Sequence, residues 1–425
     1  MKKLPLYVRI IIGMIAGVLF AVIMLQFANG VQFIRDWIKP FGTIFINLLK
    51  LIAVPLILAS LIKGISDLKD VTKLSVMGFR TIGFYLFTTV FAVSLGLVVA
   101  NIIKPGNSIS ETTRNEMLTT YGGVVEEKQA EAQKQQSGPL KFFEDMVPDN
   151  IFAATTSNTR MLQVIFFALF VGISMIMLPE TTVKPFKDFF DSANDIILKM
   201  IDLIMLAAPF GVFALIASLV SESPSVDLFK ALGWYSFSVV IGLFIMLLVF
   251  YPALIYLFTK RNPYRFLKQI FPAQLLGFST SSSAATLPVS MEVTEKNVGV
   301  DNEVTSFVLP IGATINMDGT SLYQAVAAIF IAQAFGMDLT LGAQLAIILT
   351  ATLASIGSAA VPGAGMVMLI IVLAQAGIPE AGLALIFAVD RPLDMLRTTV
   401  NVTSDCTIAT IIAKQLGKLE PGKHP

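Results

Sequence analysis

Hydrophobic positions fill six long runs in the first 260 residues, and polar connectors separate these runs. The runs cover roughly residues 9–28, 41–62, 78–103, 160–178, 194–220 and 229–259. A helix needs about 20 apolar residues to cross a hydrocarbon layer of about 30 Å. The pattern therefore predicts six membrane-spanning helices in this part of the chain.

The second half of the chain places polar tips between shorter apolar arms. Two arms of about 14 residues flank STSSSAATLP at 279–288, and the same design recurs from 341 to about 377 around SIGSAAVPGAG at 355–365. Each arm is too short to cross the bilayer, and irregular backbone at that depth must be lined by protein or water. We predict two re-entrant helical hairpins, related as an internal repeat, whose tips meet at a cavity.

Each predicted hairpin is followed by an apolar helix with polar residues in its middle. The first runs from about 303 to 335 and contains GATINMDGT at 312–320, where paired glycines, Asn316 and Asp318 predict a break near the midplane. The second runs from about 381 to 413. The expected fold class is an all-α polytopic membrane protein with eight transmembrane helices, two re-entrant hairpins and inverted repeats.

Composition and charge agree with a membrane protein. Hydrophobic residues make up 55% of the 425 residues and charged residues only 14%, whereas a soluble domain carries about 25% charged residues. Basic residues cluster in every second connector, so we expect both termini on the cytoplasmic side. Residues 104–150, which contain EEKQAEAQKQQSG, are expected to form an extracellular flexible loop.

Two scarce residue types limit the chemistry. His424 is the only histidine and Cys406 the only cysteine, so a Cys/His zinc site, a Ser-His-Asp triad and a disulfide cannot be assembled from this sequence. The net charge is +1 and no GxxxxGK[ST] motif occurs. We therefore expect no nucleic-acid partner.

Five polar residues share one face of the last predicted helix. Asp390, Asp394, Arg397, Asn401 and Asp405 follow at steps of four, three, four and four residues, which places them within a stripe about 80° wide. A charge at the bilayer centre costs at least about 2.5–3.5 kcal/mol, so the stripe should face protein, water or a ligand. A structural network with Asp394 paired to Arg397 is the alternative. One arginine among three carboxylates leaves charge that bound cations would neutralise.

Oxygen ligands for an alkali cation lie near this stripe. They are the side chains of Asp318, Asp405, Asn316 and Asn401, together with carbonyl groups freed at the helix break. The planar guanidinium of Arg397 fits a carboxylate, and Asp394 suits an ammonium group. Together these groups point to an acidic amino acid as the ligand.

Four motifs carry a resemblance to a known family. SSSAATLP, GATINMDGTSLYQ, SIGSAAVPGAG and DMLRTTVNVTSD occur in this order, and with them the chain resembles the sodium-coupled glutamate/aspartate transporters, the dicarboxylate/amino acid:cation symporters. The resemblance implies a homotrimer in which a transport part of each protomer moves past a fixed scaffold, like an elevator. It implies scaffold parts at 1–75 (spans 1–2) and 151–225 (spans 4–5), and transport parts at 76–103 (span 3) and 226–425 (span 6, first hairpin, broken span 7, second hairpin, span 8), with the loop and the start of span 4 at 104–150.

The resemblance also implies roles for individual residues. The substrate contacts are Ser281, Ser282, Ser283, Thr320, Val361, Gly365, Asp394, Arg397, Thr398 and Asn401. Among these, Arg397 would bind the side-chain carboxylate and Asp394 the amino group. Three sodium sites would use Asp405 with carbonyls of Gly312, Asn316 and Asn401; Asp318 and Asn316 with Thr88, Thr89 and the carbonyl of Tyr85; and carbonyls of Thr314, Ser355, Ile356 and Ser358.

Three positions depart from the family pattern. Members often carry an arginine in the first hairpin tip or one residue after the position of Asp394, whereas this chain has Ser281 and Met395 there, and Arg391 is the candidate substitute. Members that export potassium carry a glutamate where this chain has Gln324. We therefore expect that the empty carrier returns without a counter-ion.

Taken together, the residues and the resemblance predict a symporter of the plasma or inner cell membrane, and not an enzyme. It would take up L-aspartate or L-glutamate with sodium ions, which are cargo and not a resident metal. A proton- or sodium-coupled C4-dicarboxylate symporter and an anion-conducting channel are the alternatives.

Overall fold

The structure, a computed structural model, describes residues 6–66, 75–111, 147–156, 161–222, 226–356, 358 and 363–420. These residues form helices and short helical turns without any strand, and one isolated bridge pairs Val300 with Leu419. The predicted all-helical fold class is therefore confirmed for this part of the chain. The predicted loop at 104–150 lies mostly outside the described residues.

The longer helices follow in chain order. They are α1 (Leu6–Met24), α2 (Lys39–Ser66), α3 (Ser75–Ile103), α4 (Met161–Met177), α5 (Glu180–Glu222), α6, α7 (Pro263–Thr280), α8 (Ser283–Val293), α9 (Asn302–Ile315), α10 (Asp318–Ala334), α11 (Leu341–Ile356), α12 (Ala364–Gln375) and α13 (Leu383–Gln415). Helix α6 joins Val226–Ile245, a π-helical turn at Met246–Phe250 and Tyr251–Thr259. Shorter helical turns occur at Gly30–Phe33, Ile34–Ile38, Pro105–Ser108, Ile151–Thr155, Thr294–Val298 and Glu380–Gly382.

Two helices of the described chain are long and apolar enough to cross a bilayer without a break. They are Met77–Ser108, which contains most of α3, and Phe229–Thr259 in α6. The segments Glu180–Ile204 and Leu206–Ser218 of α5 form a third candidate that is bent by 48°. The remaining apolar helices are shorter, so the number of eight spans stays a prediction.

Helix α5 begins earlier than its apolar run. The sequence predicts a span at 194–220, whereas the helix starts at Glu180. The added turns are amphipathic and carry exposed ion pairs at helical spacing, such as Lys184 with Asp188 at 2.9 Å. Each such pair stabilises a helix by about 0.2–0.5 kcal/mol. A search for apolar runs cannot detect this kind of helix.

The first half packs mainly on α5. Helices α1 and α2 contact α5, and α2 also contacts α4. A Cβ atom at Gly13 would lie only 2.3 Å from the carbonyl oxygen of Pro209, so the missing side chain lets α1 approach α5 closely. The two segments predicted as scaffold, 1–75 and 151–225, therefore contact each other. The division of the chain into scaffold and transport parts stays a prediction.

The second half packs around α13. This helix contacts α6, α7, α8, α9 and α10, while α3 packs on α10 and α6. The arms of each predicted hairpin contact each other, α7 with α8 and α11 with α12. Helix α13 is therefore the element on which the first hairpin and the broken helix converge.

The tip of the first hairpin is shorter than the predicted segment 279–288. Only two residues separate α7 from α8: Ser281 has φ +53°, and Ser282 is extended. The Oγ atom of Ser282 accepts a hydrogen bond from the backbone N–H of Ala285 at 3.2 Å, which caps α8. This cap lets the following alanines enter the helix early. In the second tip, residues 357 and 359–362 lie outside the described residues.

The predicted break at 312–320 is narrow. Helix α9 ends at Ile315, α10 begins at Asp318, and between them Asn316 and Met317 leave the helical conformation. Asn316 has φ −101° and ψ 91°. In a continuous helix, the backbone carbonyl groups would accept hydrogen bonds from the next turn. At the break they lack these partners and can bind other groups.

Candidate functional site

Helix α13 buries the predicted polar stripe inside the second half of the molecule. Asp390, Asp394, Arg397, Asn401 and Asp405 are all buried. The helix is continuous over this stretch and contains only Pro392 as an internal proline. Because neighbouring helices cover α13 on several sides, the stripe faces protein groups, as its spacing predicts.

Arg397 lies at the centre of the first part of the stripe. Its side chain is 0% exposed, and Nη2 lies 2.7 Å from Asp394 Oδ1 and 3.0 Å from Asp390 Oδ1. The guanidinium carbon lies 3.9 Å from the centre of the Tyr323 ring, a cation–π contact. Its Nε and Nη1 atoms are buried without a hydrogen-bond partner among the described residues. These donors are suited to a carboxylate of a ligand.

Gly365 leaves space beside the free donors of Arg397. A Cβ atom placed on Gly365 would lie 3.4 Å from Arg397 Nη1 and 3.0 Å from Thr320 Cγ2. Thr320 is buried on the same side. The structure thus brings three predicted substrate residues together, whereas Val361 lies outside the described residues.

Asp394 has partners on both oxygens. Besides Arg397 on Oδ1, its Oδ2 accepts from Arg391 Nη1 at 3.1 Å and from the backbone N–H of Gly363 at 3.2 Å. The start of the second arm of hairpin two therefore reaches α13 here. Arg391, which was considered only as a substitute, contacts the carboxylate that the sequence predicts for the amino group.

Asn401 ties α13 to the start of α10. Its Oδ1 accepts from the N–H of Gly319 at 2.8 Å, and its Nδ2 lies 3.4 Å from Thr320 Oγ1. A Cβ atom on Gly319 would lie 2.4 Å from the carbonyl oxygen of Arg397, so this close approach requires glycine. Thr398 is buried nearby and donates to the carbonyl of Asp394 at 2.9 Å.

The serines of the first hairpin tip are buried next to α13. Ser281 Oγ has no hydrogen-bond partner within the described part of the chain, while Ser282 serves as the helix cap. Ser283 is buried at the start of α8. A Cβ atom on Gly277, one turn before the tip, would lie 3.5 Å from Thr398 Cγ2. The tip therefore lies close to the predicted substrate residues of α13.

Asp318 is held by three hydroxyl groups from three helices. Oδ1 accepts from Thr89 Oγ1 of α3 at 2.8 Å; Oδ2 accepts from Tyr251 of α6 at 2.8 Å and from Ser404 of α13 at 2.7 Å. Asp318 is 0% exposed. Within the described residues, neither Asp318 nor Asp405 forms an ion pair with a lysine or arginine. A buried carboxylate without a cationic partner attracts a cation.

Asn316 connects the break to the second carboxylate. Its Nδ2 donates to Asp405 Oδ1 at 2.8 Å, and its Oδ1 lies 3.5 Å from Thr88 Oγ1. Thr88 also donates to the carbonyl of Tyr85 at 3.1 Å. A Cβ atom on Gly312 would lie 2.4 Å from the Tyr85 hydroxyl and 2.5 Å from Asp405 Oδ1. The residues of the first two predicted sodium sites thus lie around one break.

The third predicted set lies where hairpin two meets the same break. Ser355 Oγ donates to the carbonyl of Ile315 at 3.0 Å and accepts from the N–H of Met317 at 3.2 Å. The N–H of Ser358 bonds back to the Ser355 carbonyl at 3.2 Å, and Ile356 ends α11. The side chain of Thr314 is exposed and donates within α9, which leaves only its carbonyl as a candidate ligand.

Three contacting residues were missed by the sequence analysis. Tyr323 follows Thr320 by three positions on the same helical face, and Ser404 precedes Asp405, so their positions in the motifs were the available signals. Tyr251 lies inside an apolar run and gives no such signal. Its contact with Asp318 depends on how α6 is placed.

The chain is similar to known proteins over nearly its whole length. The family model described as the sodium:dicarboxylate symporter family matches residues 6–415. Excitatory amino acid transporter 1 of Ambystoma tigrinum is 37% identical over 413 residues, covering 87% of this chain and 76% of the relative. Excitatory amino acid transporter 3 of Mus musculus is 38% identical over 416 residues, with coverages of 89% and 79%. The proton/sodium-glutamate symport protein of Bacillus subtilis is 35% identical over 429 residues, with coverages of 99% and 95%.

Proposed function

The chain belongs to the sodium:dicarboxylate symporter family, and from this premise we propose that it is a secondary active transporter of the cell membrane. It couples inward sodium flow to the uptake of an acidic amino acid, L-aspartate or L-glutamate. The relatives are named for excitatory amino acids and for glutamate with sodium or protons, which supports this choice. The family consists of transporters, and we propose no enzyme activity for this chain.

The observation that carries the proposal is the environment of Arg397. A fully buried guanidinium has free donors at Nε and Nη1, and Gly365 leaves space beside Nη1. An acidic amino acid suits this environment because its side-chain carboxylate accepts hydrogen bonds from these two donors. Its ammonium group then binds Asp394, and the main-chain carboxylate binds the hairpin tips and Asn401. The tip contacts come from Ser281, Ser282, Ser283 and the segment 361–365.

Sodium ions bind where carboxylates lack cationic partners. Asp405 with Gly312, Asn316 and Asn401 forms one site, and Asp318 with Asn316, Thr88, Thr89 and Tyr85 forms a second. Carbonyls of Thr314, Ser355, Ile356 and Ser358 form a third. The hydrogen bond from Asn316 to Asp405 and that from Thr89 to Asp318 support the first two groupings.

The second hairpin acts as the cover of the substrate site in this proposal. The N–H of Gly363 contacts Asp394, and the carbonyl of Gly365 accepts from Gln324 at 3.3 Å, so α12 begins directly beside the binding residues. Once sodium and substrate are bound, the transport part (76–103 and 226–425) crosses the membrane past the scaffold part (1–75 and 151–225). Eight spans, two hairpins and a homotrimer complete the proposed assembly, with both termini in the cytoplasm.

Uptake measurements in proteoliposomes test the function. Radiolabelled L-aspartate should accumulate under an inward sodium gradient and not when choline replaces sodium. An inward proton gradient without sodium is the matched control for the coupling ion. Accumulation driven equally by protons alone would contradict sodium coupling, and the absence of saturable uptake together with an anion current would indicate a channel.

One observation favours a second candidate, C4-dicarboxylate symport. Asp394 already accepts hydrogen bonds from Arg397, Arg391 and the N–H of Gly363, so only one oxygen, Oδ1, keeps a free lone-pair direction for an ammonium group. A substrate with two carboxylates and no ammonium needs no such oxygen. Competition of labelled aspartate uptake by succinate distinguishes the two, since succinate should compete poorly if the amino group is recognised.

A further inference from the structure

One contact of Asp318 has no part in the proposed function. Tyr251 donates its phenolic O–H to Asp318 Oδ2 over 2.8 Å, and both residues are 0% exposed. Tyr251 directly follows the π-helical turn Met246–Phe250 of α6. Turns of this kind are rare inside helices and frequent at functional sites.

The sequence after this turn explains its position. Pro252 has no N–H, and its ring would clash with the carbonyl of residue 248 in a regular α-helix. A π turn widens the helix and adds one residue, which shifts the residues that follow by about 100° around the axis. With this shift, the side chain of Tyr251 reaches Asp318 at the start of α10.

Aromatic stacking fixes the same turn against α3. The rings of Phe250 and Phe91 are stacked with centroids 3.9 Å apart and planes within 6°. Thr89, two residues before Phe91, donates to the other oxygen of Asp318. Helices α3 and α6 are therefore joined beside Asp318, and each supplies one hydroxyl to it.

The two oxygens of Asp318 are not equivalent. Oδ2 accepts two hydrogen bonds, from Tyr251 and Ser404, whereas Oδ1 accepts one, from Thr89. A carboxylate oxygen has about two lone-pair directions, so Oδ2 is saturated and Oδ1 has one direction left. Oδ1 is also the oxygen on the side of α3, where Thr88 and Asn316 lie.

We propose that Tyr251 is a positioning residue for cation binding. Together with Ser404 it saturates Oδ2 and so directs the free lone pair of Oδ1 toward the side where sodium binds. Its contact is with Oδ2 and not with Oδ1, so the proposal gives Tyr251 no role as a ligand. This inference rests on the proposed role of Asp318 as a sodium ligand. Loss of a partner that orients a metal ligand typically weakens metal binding by about 10–100-fold.

Sodium binding to the purified protein without aspartate tests this role. The thermal unfolding midpoint is measured against sodium chloride concentration, with choline chloride keeping the ionic strength constant. In Tyr251→Phe the sodium concentration for half-maximal stabilisation should rise about tenfold. Aspartate affinity at saturating sodium should change less than about twofold, since Tyr251 does not touch the substrate residues.

Tyr235→Phe is the matched control. Tyr235 lies on the same helix and is fully buried, but its hydroxyl makes no hydrogen bond to Asp318. Removing that hydroxyl should leave the sodium midpoint at the parent value. A loss of sodium affinity in both variants would mean that any change in α6 disturbs the site, which would overturn a specific role of Tyr251.

The remaining outcomes separate this inference from the proposed function. Equal sodium midpoints for Tyr251→Phe and the parent would overturn the inference alone. If Tyr251→Phe fails to fold, Ser404→Ala removes the other donor from Oδ2 and should shift the midpoint in the same direction; a parent-like midpoint there would also overturn it. A parent protein without any response to sodium would overturn the proposed function itself.

Discussion

The buried carboxylates near α13 form two regions that differ in how their charge is balanced. In the arginine-paired region, Asp390 and Asp394 contact Arg397, and Asp394 also contacts Arg391. In the hydroxyl-bound region, which consists of Asp318 and Asp405 with their partners, the donors found among the described residues are neutral: Thr89, Tyr251, Ser404 and Asn316.

This difference shows what each region is suited to bind. Two guanidinium groups against two carboxylates leave the arginine-paired region without net charge, so it can take a ligand that carries groups of both signs. The hydroxyl-bound region has negative charge that neutral donors stabilise without neutralising. We propose that cations are the ligands that complete it. The same residue type, aspartate, thus has two roles that are set by its partners.

Removal of Arg397 should cause the largest change in ligand binding. Arg397→Cys leaves Asp390 and Asp394 without their shared partner and deletes the donors for the substrate carboxylate. Truncating one partner of a buried charge pair costs about 2–5 kcal/mol, so aspartate affinity should fall at least about 30-fold while neutral amino acids are spared. Calorimetric titration at saturating sodium measures both ligands.

The exposed Arg265 supplies the control for this experiment. Arg265→Cys introduces the same side chain outside the site and should bind aspartate like the parent. Sodium-dependent stabilisation should persist in Arg397→Cys, because the hydroxyl-bound region is intact. Undiminished aspartate affinity in Arg397→Cys would refute the assignment of the side-chain carboxylate.

Loss of charge in the hydroxyl-bound region should have the next largest effect. Asp405→Asn or Asp318→Asn keeps the size of the side chain but removes the negative charge, so sodium affinity should fall about tenfold or more. By reciprocal linkage, the apparent aspartate affinity at limiting sodium should fall as well. Sodium titrations of aspartate binding measure this. Asp202→Asn, at an exposed ion pair with Lys199, is the control, and equal sodium dependence in all variants would mean that these carboxylates are structural.

A smaller effect is expected from Arg391, which tests how the arginine-paired region distinguishes aspartate from succinate. Arg391→Ala removes one of the two donors to Asp394 Oδ2, which helps a substrate with an ammonium group and does nothing for succinate. The ratio of aspartate to succinate affinity should therefore rise about three- to tenfold, equivalent to about 0.7–1.4 kcal/mol. Competition assays give this ratio. Loss of the positive charge weakens the binding of both anions, and the ratio removes this shared contribution. Arg391→Lys keeps the charge and should change the ratio less; a constant ratio in Arg391→Ala would show that Arg391 does not compete for Asp394.

The smallest effect is expected at Gln324, close to the arginine-paired region. Its Nε2 donates to the Gly365 carbonyl, and its Oε1 is buried without a partner among the described residues. A neutral amide cannot compensate a potassium ion or carry a proton, so uptake should differ less than about twofold between potassium-loaded and choline-loaded vesicles. Gln324→Glu should introduce sensitivity to internal potassium or to pH. A several-fold potassium dependence of the parent at matched membrane potential would contradict this expectation.

The sequence predicts the arginine-paired region better than the hydroxyl-bound one. Regular spacing on a single helix places Asp390, Asp394 and Arg397 on one face without knowledge of the fold. Asp318 and Asp405 lie on different helices, and their partners come from α3, α6, α13 and the break at Asn316. Tyr251 lies in an apolar run where nothing in the local pattern marks it, because its contact depends on tertiary packing and on a π turn.

The same reasoning accounts for the successes and failures in the fold. Long apolar runs identify helices because membrane burial dictates composition, and the break at Asn316 follows from polar and glycine residues within such a run. The amphipathic start of α5 and the short first tip were missed. Both depend on local interactions, namely ion pairs at helical spacing and the cap formed by Ser282, that hydrophobicity does not report.

The continuity of α13 has a consequence for how far free energy can be transmitted between ions and substrate. Asp394 and Asp405 are 11 residues apart on one helix, which corresponds to about 16 Å along the axis. At that distance two unit charges interact by only about 1 kcal/mol at an effective dielectric constant of 20. The rest of any coupling passes through direct contacts, and Asn401 makes them: its amide touches both Gly319 and Met317 at the helix break, 2.8 and 3.2 Å away. Any coupling between the two ends of the stripe therefore depends on a few short contacts at this break more than on the electric field between the charges.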